Sequence, residues 1–259
     1  MSKLFIFIFA ALALGLAIYS PNIYKLYRLA NLYNEKTIAR NFINIDNIFS
    51  NISGPIPASE KPYIFETKDF NLPEKYSFEG EELDLKEGLS HFHTDGLIIL
   101  HNGKMLFEDY WNGNNKESKH ISFSVAKSYL SALFGIAIDE GVIDSIDDNV
   151  TKYLEDFTGT GYEDVKIKNL LQMSSGIEFN EDYADPNSDI NKFSRASAKG
   201  QSFRDFAKSL KNGREQGTYN HYVSLDTQVL AMILESVTDM PVREYLYKKI
   251  WNTIGTESD

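Results

Sequence analysis

An apolar helix in the middle of the chain dictates much of what this sequence can form. Residues Ser124 to Glu140 carry apolar side chains at most positions, and Gly141 follows as a stop signal. A helix that is apolar on most faces is buried on several sides, so the rest of its domain has to pack around it. The sequence therefore predicts a central helix inside a domain large enough to enclose it.

Around this helix the sequence predicts one β-hairpin and a series of shorter helices. Two apolar runs flank Asn102-Gly103, and Asn-Gly between such runs is a strong signal for a two-residue hairpin turn. The expected strands are Gly96–Leu100 and Lys104–Trp111, and the expected helices are Asn22–Phe42, Val165–Met173, Ser202–Leu210, Thr227–Thr238 and Val242–Trp251. Residues 44–80 contain four prolines and are expected to form an irregular segment that wraps the domain.

The central helix begins with Ser124-Val125-Ala126-Lys127, which places a serine and a lysine three residues apart. Residues at this spacing share a helix face, so the hydroxyl and the amine can come within hydrogen-bond reach. Burial would disfavour the ammonium form of the lysine, and a neutral amine could then accept the serine proton. The alternative is structural: a serine at a helix N-terminus beside a lysine that extends its ammonium into solvent.

A second candidate group, Tyr222-Val223-Ser224, lies just before the helix expected at Thr227. A tyrosine near a lysine can relay a proton, and a hydroxyl two residues later can orient it. Taken alone, the motif favours the alternative of a buried tyrosine whose hydroxyl is hydrogen-bonded.

Together with their surroundings, these residues resemble the serine β-lactamase and penicillin-recognising superfamily, and within it the 6-aminohexanoate-dimer hydrolase branch related to class C β-lactamases. The resemblance runs from about residue 60 to the end of the chain, and six ordered blocks are far more specific than one motif. The matching blocks are the strand Gly96–Leu100 with Asn102-Gly103-Lys104, the segment Ser122–Ile143 with Asp147-Asp148, and the segments Leu170–Ile177, Glu181–Asp189, Tyr222–Glu235 and Ile250-Trp251.

The resemblance implies an α+β fold in which an antiparallel sheet, here present only as its N-terminal hairpin, lies beside a helical region. It implies that Ser124 is the acylated nucleophile, that Lys127 is the base, and that Tyr222 carries a proton to the leaving group. Ser224 stands where many relatives have asparagine and is expected to bind substrate. The implied reaction cleaves an amide or ester bond of a small molecule, such as a 6-aminohexanoate oligomer, a short ester or a β-lactam, without a metal or other cofactor.

A later motif of the family, a Lys/His-x-Gly strand, does not follow Tyr222 in this sequence. On that ground we expect a C-terminally truncated member of the family with weak or no activity. Two alternatives stay open beside the hydrolase: an inactive member of the family, and a membrane-tethered module that binds cell-wall peptide.

The N-terminus carries an uninterrupted apolar run of 16 residues from Leu4 to Tyr19. As a helix the run would be about 24 Å long, slightly short of a bilayer core, and it predicts a membrane anchor. A cleaved signal peptide, with a small-x-small site at Gly15-Leu16-Ala17, and a buried core helix are the alternatives. The expected domains are a transmembrane anchor or signal segment (1–21), a helical stalk with a proline-rich linker (22–80) and the hydrolase domain (81–259). The hydrolase domain would lie in the periplasm or outside the cell, and would be secreted if the segment is cleaved.

The composition argues against several other functions and kinds of site. The net charge of −11 disfavours nucleic-acid binding, because a surface that follows phosphates needs a basic patch. The absence of cysteine excludes disulfides, thiolate metal sites and a cysteine nucleophile. The run from His91 to Asp95 resembles a zinc motif, but no second cluster of ligands follows it, and a catalytic zinc needs three protein ligands. We therefore expect an ordinary loop there.

Overall fold

The computed structural model describes residue 24 and residues 27–47 and 54–259. These residues divide into two compact units, the first containing residues 24, 27–47 and 64–121, and the second containing residues 54–63 and 122–259. The apolar run from Leu4 to Tyr19 lies outside the described residues. Within the described ranges, no helix combines the length and apolar character needed to cross a bilayer.

The described part of the first unit contains two small sheets, two short α-helices, a 3₁₀-helix at Ile45–Asn47 and a helical stretch at residues 27–30. Strands β1 (Glu66–Thr67), β4 (Gly96–His101) and β5 (Lys104–Tyr110) form one sheet in the order β1-β5-β4, and β2 (Lys75–Phe78) pairs with β3 (Glu81–Asp84) in the other. Strand β1 runs parallel to β5, whereas β4 and β5 are antiparallel. The two α-helices are α1 (Ile38–Phe42) and α2 (Leu85–His91).

The predicted hairpin is present, as β4 and β5. Its turn residues Asn102 and Gly103 both have positive φ angles, 51° and 74°. Two consecutive positive φ angles define the type I′ turn that matches the twist of a hairpin. The Asn-Gly signal was therefore sufficient to locate both strands to within a residue or two.

Two expectations for the first unit are wrong. The sheet is more than the hairpin, since β1 adds a parallel strand and β2 and β3 form a second hairpin. Strand β1 has only two residues, and nearly all side chains of β2 and β3 are exposed, so no alternation of apolar residues announces them. The helix expected over Asn22–Phe42 lies partly outside the described residues; those described are helical at 24, 27–30 and in α1, with turns at residues 31–37 between.

The second unit is helical and contains the main apolar core. Its helices are α3 (Val125–Asp139), α4 (Ile167–Leu171), α5 (Asp189–Ala198), α6 (Phe203–Ser209), α7 (Ser224–Thr238), α8 (Val242–Leu246) and a π-helix (Tyr247–Trp251). The core is formed largely by α3 and α7 with the loops between them, and its fully buried side chains include Leu133, Phe134, Phe157, Tyr162, Ile233 and Leu234. Burial of these side chains from water is the main stabilising contribution in this unit.

Helix α3 differs from the expected all-round burial. Its buried residues Leu130, Leu133, Phe134 and Ala137 recur at intervals of three and four, which places them on one stripe of the helix. The opposite face is open, and Val125 is 61% exposed. Apolar composition alone could not distinguish a helix with one covered face from a helix covered on every side.

Two further helices depart from prediction. Helix α5 was not expected, because its sequence is polar; it starts at Ser188, whose hydroxyl accepts a hydrogen bond from the N–H of Asn191. Helix α7 begins at Ser224, three residues earlier than expected. Ser224 therefore lies in the first turn of α7, and Tyr222 lies two residues before that turn.

Candidate active site

The backbone before α3 presents Ser124 at the surface of the second unit. Ser124 directly precedes the first helical residue and is exposed. Phe123 has a φ angle of +45°, in the left-handed region that a bulky side chain rarely adopts. The N–H of Val125 donates to the carbonyl of Ser122 at 3.1 Å, which closes a tight turn around Phe123. Strained backbone of this kind is concentrated at functional sites, where it directs a side chain.

Ser124 and Lys127 make the contact that their spacing predicts. The Nζ atom of Lys127 donates a hydrogen bond to Oγ of Ser124 at 3.1 Å. Lys127 is half-buried and Ser124 is exposed, so the pair lies at the open N-terminal end of α3 rather than inside the core. The expectation of a deeply buried lysine is therefore wrong, while the predicted geometry of the pair is present.

Tyr222 reaches the same oxygen from the start of α7. Its hydroxyl donates to Oγ of Ser124 at 2.8 Å, across a sequence separation of 98 residues. The Nζ atom of Lys127 lies 5.3 Å from the centroid of the Tyr222 ring, within the range of a cation–π contact. The structure thus brings Lys127 and Tyr222, both predicted site residues, to the hydroxyl group of Ser124.

Ser224 lies close to these residues, but its hydroxyl points to a carboxylate. Oγ of Ser224 donates to Oε1 of Glu181 at 2.6 Å, and the Ser224 backbone N–H donates to Oε2 at 3.2 Å. Because its proton is given to Glu181, the Ser224 hydroxyl can still accept, but not donate, a further hydrogen bond. Glu181 was not among the predicted site residues, although it begins the matching block Glu181–Asp189.

A buried carboxyl group, also missed by sequence reasoning, lies one turn behind Tyr222. Asp226 is fully buried, and the hydroxyl of Tyr162 donates to its Oδ1 at 3.1 Å. Burial raises the pKa of Asp226 from 3.8 to about 7. The hydroxyl groups of Ser175 and Tyr162 oppose this rise, and the nearby carboxylate of Glu181 reinforces it. Burial also raises the pKa of Tyr162 well above its usual value.

Metal-binding residues do not cluster in the described part of the chain. Within those ranges, no three histidine, aspartate or glutamate side chains converge in a way that could hold a metal ion. The His91–Asp95 run ends helix α2 and enters the loop before β4.

Comparison with known proteins identifies the family. Residues 85–258 match the family model described as Beta-lactamase. The chain belongs to the Beta-lactamase family. The resemblance read from the ordered motifs is thereby confirmed, and the proteins of this Beta-lactamase family are serine hydrolases.

The chain matches only part of the length of each curated relative. The chain is 32% identical over 184 residues to the 6-aminohexanoate-dimer hydrolase of Paenarthrobacter ureafaciens, which is 68% of this chain and 46% of that protein. It is 22% identical over 230 residues to the "Putative D-alanyl-D-alanine carboxypeptidase" of Escherichia coli (strain K12), 79% of this chain and 52% of that protein. The chain thus spans about half the length of the curated relatives that it matches.

A solved structure supports the fold. The "Putative 6-aminohexanoate-dimer hydrolase from Bacillus anthracis" superposes with a TM-score of 0.80 and 21% identity, covering 88% of this chain and 62% of that one. The chain therefore has the α+β fold of that protein, which agrees with the expected fold class.

Proposed function

We propose that this protein is a serine hydrolase that cleaves an amide or ester bond of a small molecule through an acyl-enzyme on Ser124. The observation that carries the proposal is the meeting of Lys127 and Tyr222 at Oγ of Ser124, at 3.1 and 2.8 Å. A serine held between an amine and a phenol has both a base to activate it and a group to move a proton. Membership of a family of serine hydrolases supports the same reaction class.

In the proposed mechanism, Oγ of Ser124 attacks the carbonyl carbon of the substrate while its proton passes to the neutral amine of Lys127. The Tyr222 hydroxyl gives its proton to the leaving nitrogen or oxygen and recovers one from Lys127, so the protons balance when the carbonyl–leaving-group bond breaks. Water then attacks the acyl ester by the reverse sequence and restores the Ser124 hydroxyl. Ser224 would contact the substrate through the lone pairs of its oxygen.

The proposed substrate class is a small amide of the 6-aminohexanoate type. The 32% identity to the 6-aminohexanoate-dimer hydrolase over 68% of this chain supports an amide over a β-lactam. Cleavage of short esters is expected as a secondary activity, because esters are easier acyl donors for the same nucleophile. No cofactor is part of this proposal.

We also propose that the N-terminal apolar run anchors the protein in a membrane and that the hydrolase domain is exported. The proposal rests on the length and continuity of the run between Leu4 and Tyr19. The corresponding domain division is an anchor over 1–21, a stalk and linker over 22–80, and the hydrolase domain over 81–259.

Covalent labelling tests the hydrolase proposal directly. The full chain is incubated with a fluorophosphonate probe, and with a p-nitrophenyl ester followed by intact mass measurement. Modification of one site is expected in the wild type and none in Ser124→Ala. Ser128→Ala, which removes an exposed hydroxyl one turn further along α3, serves as the matched control and is expected to label like the wild type.

Two results would contradict the proposal. One is labelling that persists in Ser124→Ala, and the other is a wild type that the probes do not modify. If the unmodified protein also binds a peptide ending in D-alanyl-D-alanine saturably, and Ser124→Ala binds it equally well, the cell-wall-peptide module is the better description.

A further inference from the structure

Tyr222 is held in place by one loop, through hydrogen bonds to the residues on either side of it. On the preceding side, the N–H of His221 donates to the carbonyl of Met173 at 2.7 Å, and its ring Nε2 lies 2.8 Å from the carbonyl oxygen of Phe179. On the following side, Ser224 donates twice to Glu181. We call residues 172–181 the bracing loop, since it supplies all of these acceptors.

The Glu181 contact fixes the first turn of α7. Val223, the residue before the helix, provides no side-chain cap, so an N–H of the first turn needs a partner from elsewhere. The carboxylate of Glu181 supplies that partner, and its negative charge is favoured at a helix N-terminus. Helix α7 is 15 residues long and carries buried core side chains, so it cannot shift without disturbing the core. The Glu181 contact therefore ties the bracing loop to the helix that directly follows Tyr222.

We infer that Glu181 is a positioning residue that holds the Tyr222 hydroxyl against Ser124 by way of Ser224, an inference that rests on the proposed function of Tyr222 as proton carrier. The Tyr222–Ser124 hydrogen bond is 2.8 Å long, and a shift of about 1 Å would break it. A misplacement of that size is enough to slow a positioned proton transfer by a large factor. Loss of Glu181 should therefore slow chemistry without weakening substrate binding.

Steady-state kinetics separates positioning from substrate contact. The full chain is compared with Glu181→Ala, Glu181→Gln and Glu178→Ala in the hydrolysis of a neutral ethyl ester and of an ethyl ester with an ammonium group on its acyl chain. An alkoxide leaving group has to be protonated, so these substrates depend on the Tyr222 hydroxyl. Glu178 is the matched control, because it is an exposed carboxylate on the same loop. Glu181→Ala is expected to lower kcat about tenfold or more for both esters while KM changes less than about twofold. Glu181→Gln, which keeps one acceptor for Ser224, should recover part of the loss, and Glu178→Ala should match the wild type.

Amide hydrogen exchange gives a readout that does not depend on activity. Exchange of a peptide covering residues 221–226 is expected to accelerate in Glu181→Ala and to stay unchanged in Glu178→Ala. If the wild type shows no hydrolysis or labelling and exchange nevertheless accelerates in Glu181→Ala, the proposed function fails while the bracing of Tyr222 by Glu181 stands.

Three results would overturn the inference. The first is a kcat for Glu181→Ala equal to that of the wild type. The second is a rise in KM for the ammonium ester with kcat unchanged, which would mean that the carboxylate contacts substrate. The third is exchange over residues 221–226 that is the same in Glu181→Ala and the wild type.

Discussion

The oxygen of Ser124 receives hydrogen bonds from the Lys127 amine and from the Tyr222 phenol, and these two donors differ in what they can do next. An ammonium has three protons and no lone pair, so Lys127 can act as a base only after it has lost a proton. Tyr222 can donate its proton and take another without a change in position. The two residues therefore have separate roles at one atom, and a variant of each would fail at a different step.

Removal of the Tyr222 hydroxyl should slow acylation while leaving the fold intact. Tyr222→Phe keeps the aromatic ring but has no proton to deliver, and acylation is expected to be about 100-fold slower, the usual scale of a lost general acid. Single-turnover hydrolysis of an ethyl ester, whose alkoxide leaving group has to be protonated, measures this rate. Tyr219→Phe, a change at a 57% exposed tyrosine in the same segment, is the control. An unchanged acylation rate in Tyr222→Phe would remove this residue from the mechanism.

The buried carboxyl of Asp226 should make stability depend on pH. Its pKa is raised from 3.8 in an exposed setting to about 7 in the folded chain, so the folded state binds this proton more tightly than the unfolded state does. The free-energy cost of burying the ionised Asp226 carboxylate is therefore absent below about pH 4. It grows as the pH rises and reaches its full value above about pH 7. Asp226→Asn has the same shape without the charge. The gain in the free energy of unfolding caused by Asp226→Asn is expected to be about 3 kcal/mol larger at pH 8 than at pH 5.

Urea unfolding of both proteins at pH 5 and pH 8 measures this difference. The comparison at each pH cancels the contributions of other titrating groups, because they are common to both chains. A stability difference that is equal at the two pH values would show that Asp226 stays ionised in the folded protein.

Some residues of the candidate site could be predicted from the sequence and others could not, and the difference has a physical reason. The contact between Ser124 and Lys127 follows from helical spacing, and Tyr222 from motif order. Glu181 meets Ser224 across 43 residues, and Tyr162 meets Asp226 across 64. No local periodicity records such pairings, because they are created by the packing of loops against α7.

Among the secondary-structure elements, helices could be predicted from local sequence patterns and loops could not. Helix α3 was located to within a residue at each end, since its apolar side chains and Gly141 mark it clearly. The bracing loop has no comparable pattern, yet it holds Tyr222. Its path depends on Gly176, whose φ angle is +81° and whose carbonyl accepts a hydrogen bond from the N–H of Gly213 at 3.0 Å.

A methyl group at Gly176 should be much more disruptive than one at Gly159. Both glycines have φ angles near +80°, so alanine is strained by about 1 kcal/mol at either position. A Cβ atom at Gly176 would also lie 2.2 Å from the carbonyl oxygen of Arg214, whereas a Cβ at Gly159 meets nothing within 4 Å. Gly176→Ala is therefore expected to destabilise the protein by about 2 kcal/mol more than Gly159→Ala, as measured by urea unfolding. Equal losses would mean that the loop can move away from Arg214 freely.

Considered as a whole molecule, the chain keeps the residues of the proposed chemistry within one compact unit. Ser124, Lys127 and Tyr222 all belong to the unit of residues 54–63 and 122–259, which has its own buried core. Their mutual distances are set by α3 and α7, which both contribute to that core. The chain spans about half the length of its curated relatives, and the nucleophile, the base and the proton carrier of the proposal nevertheless meet inside it.

The apolar run at the N-terminus should decide whether the chain associates with membranes. Sixteen apolar residues have a strong preference for a bilayer core, and one arginine at the middle of such a segment costs about 3 kcal/mol on insertion scales. The full chain is expected to stay in the membrane pellet after alkaline carbonate extraction, and Leu12→Arg/Leu14→Arg is expected to move to the supernatant. Asn44→Arg/Asp46→Arg, two changes outside the run, is the control and should remain in the pellet. Recovery of the wild type in the supernatant would contradict the anchor, and a mature mass that begins after Ala17 would identify a cleaved signal peptide instead.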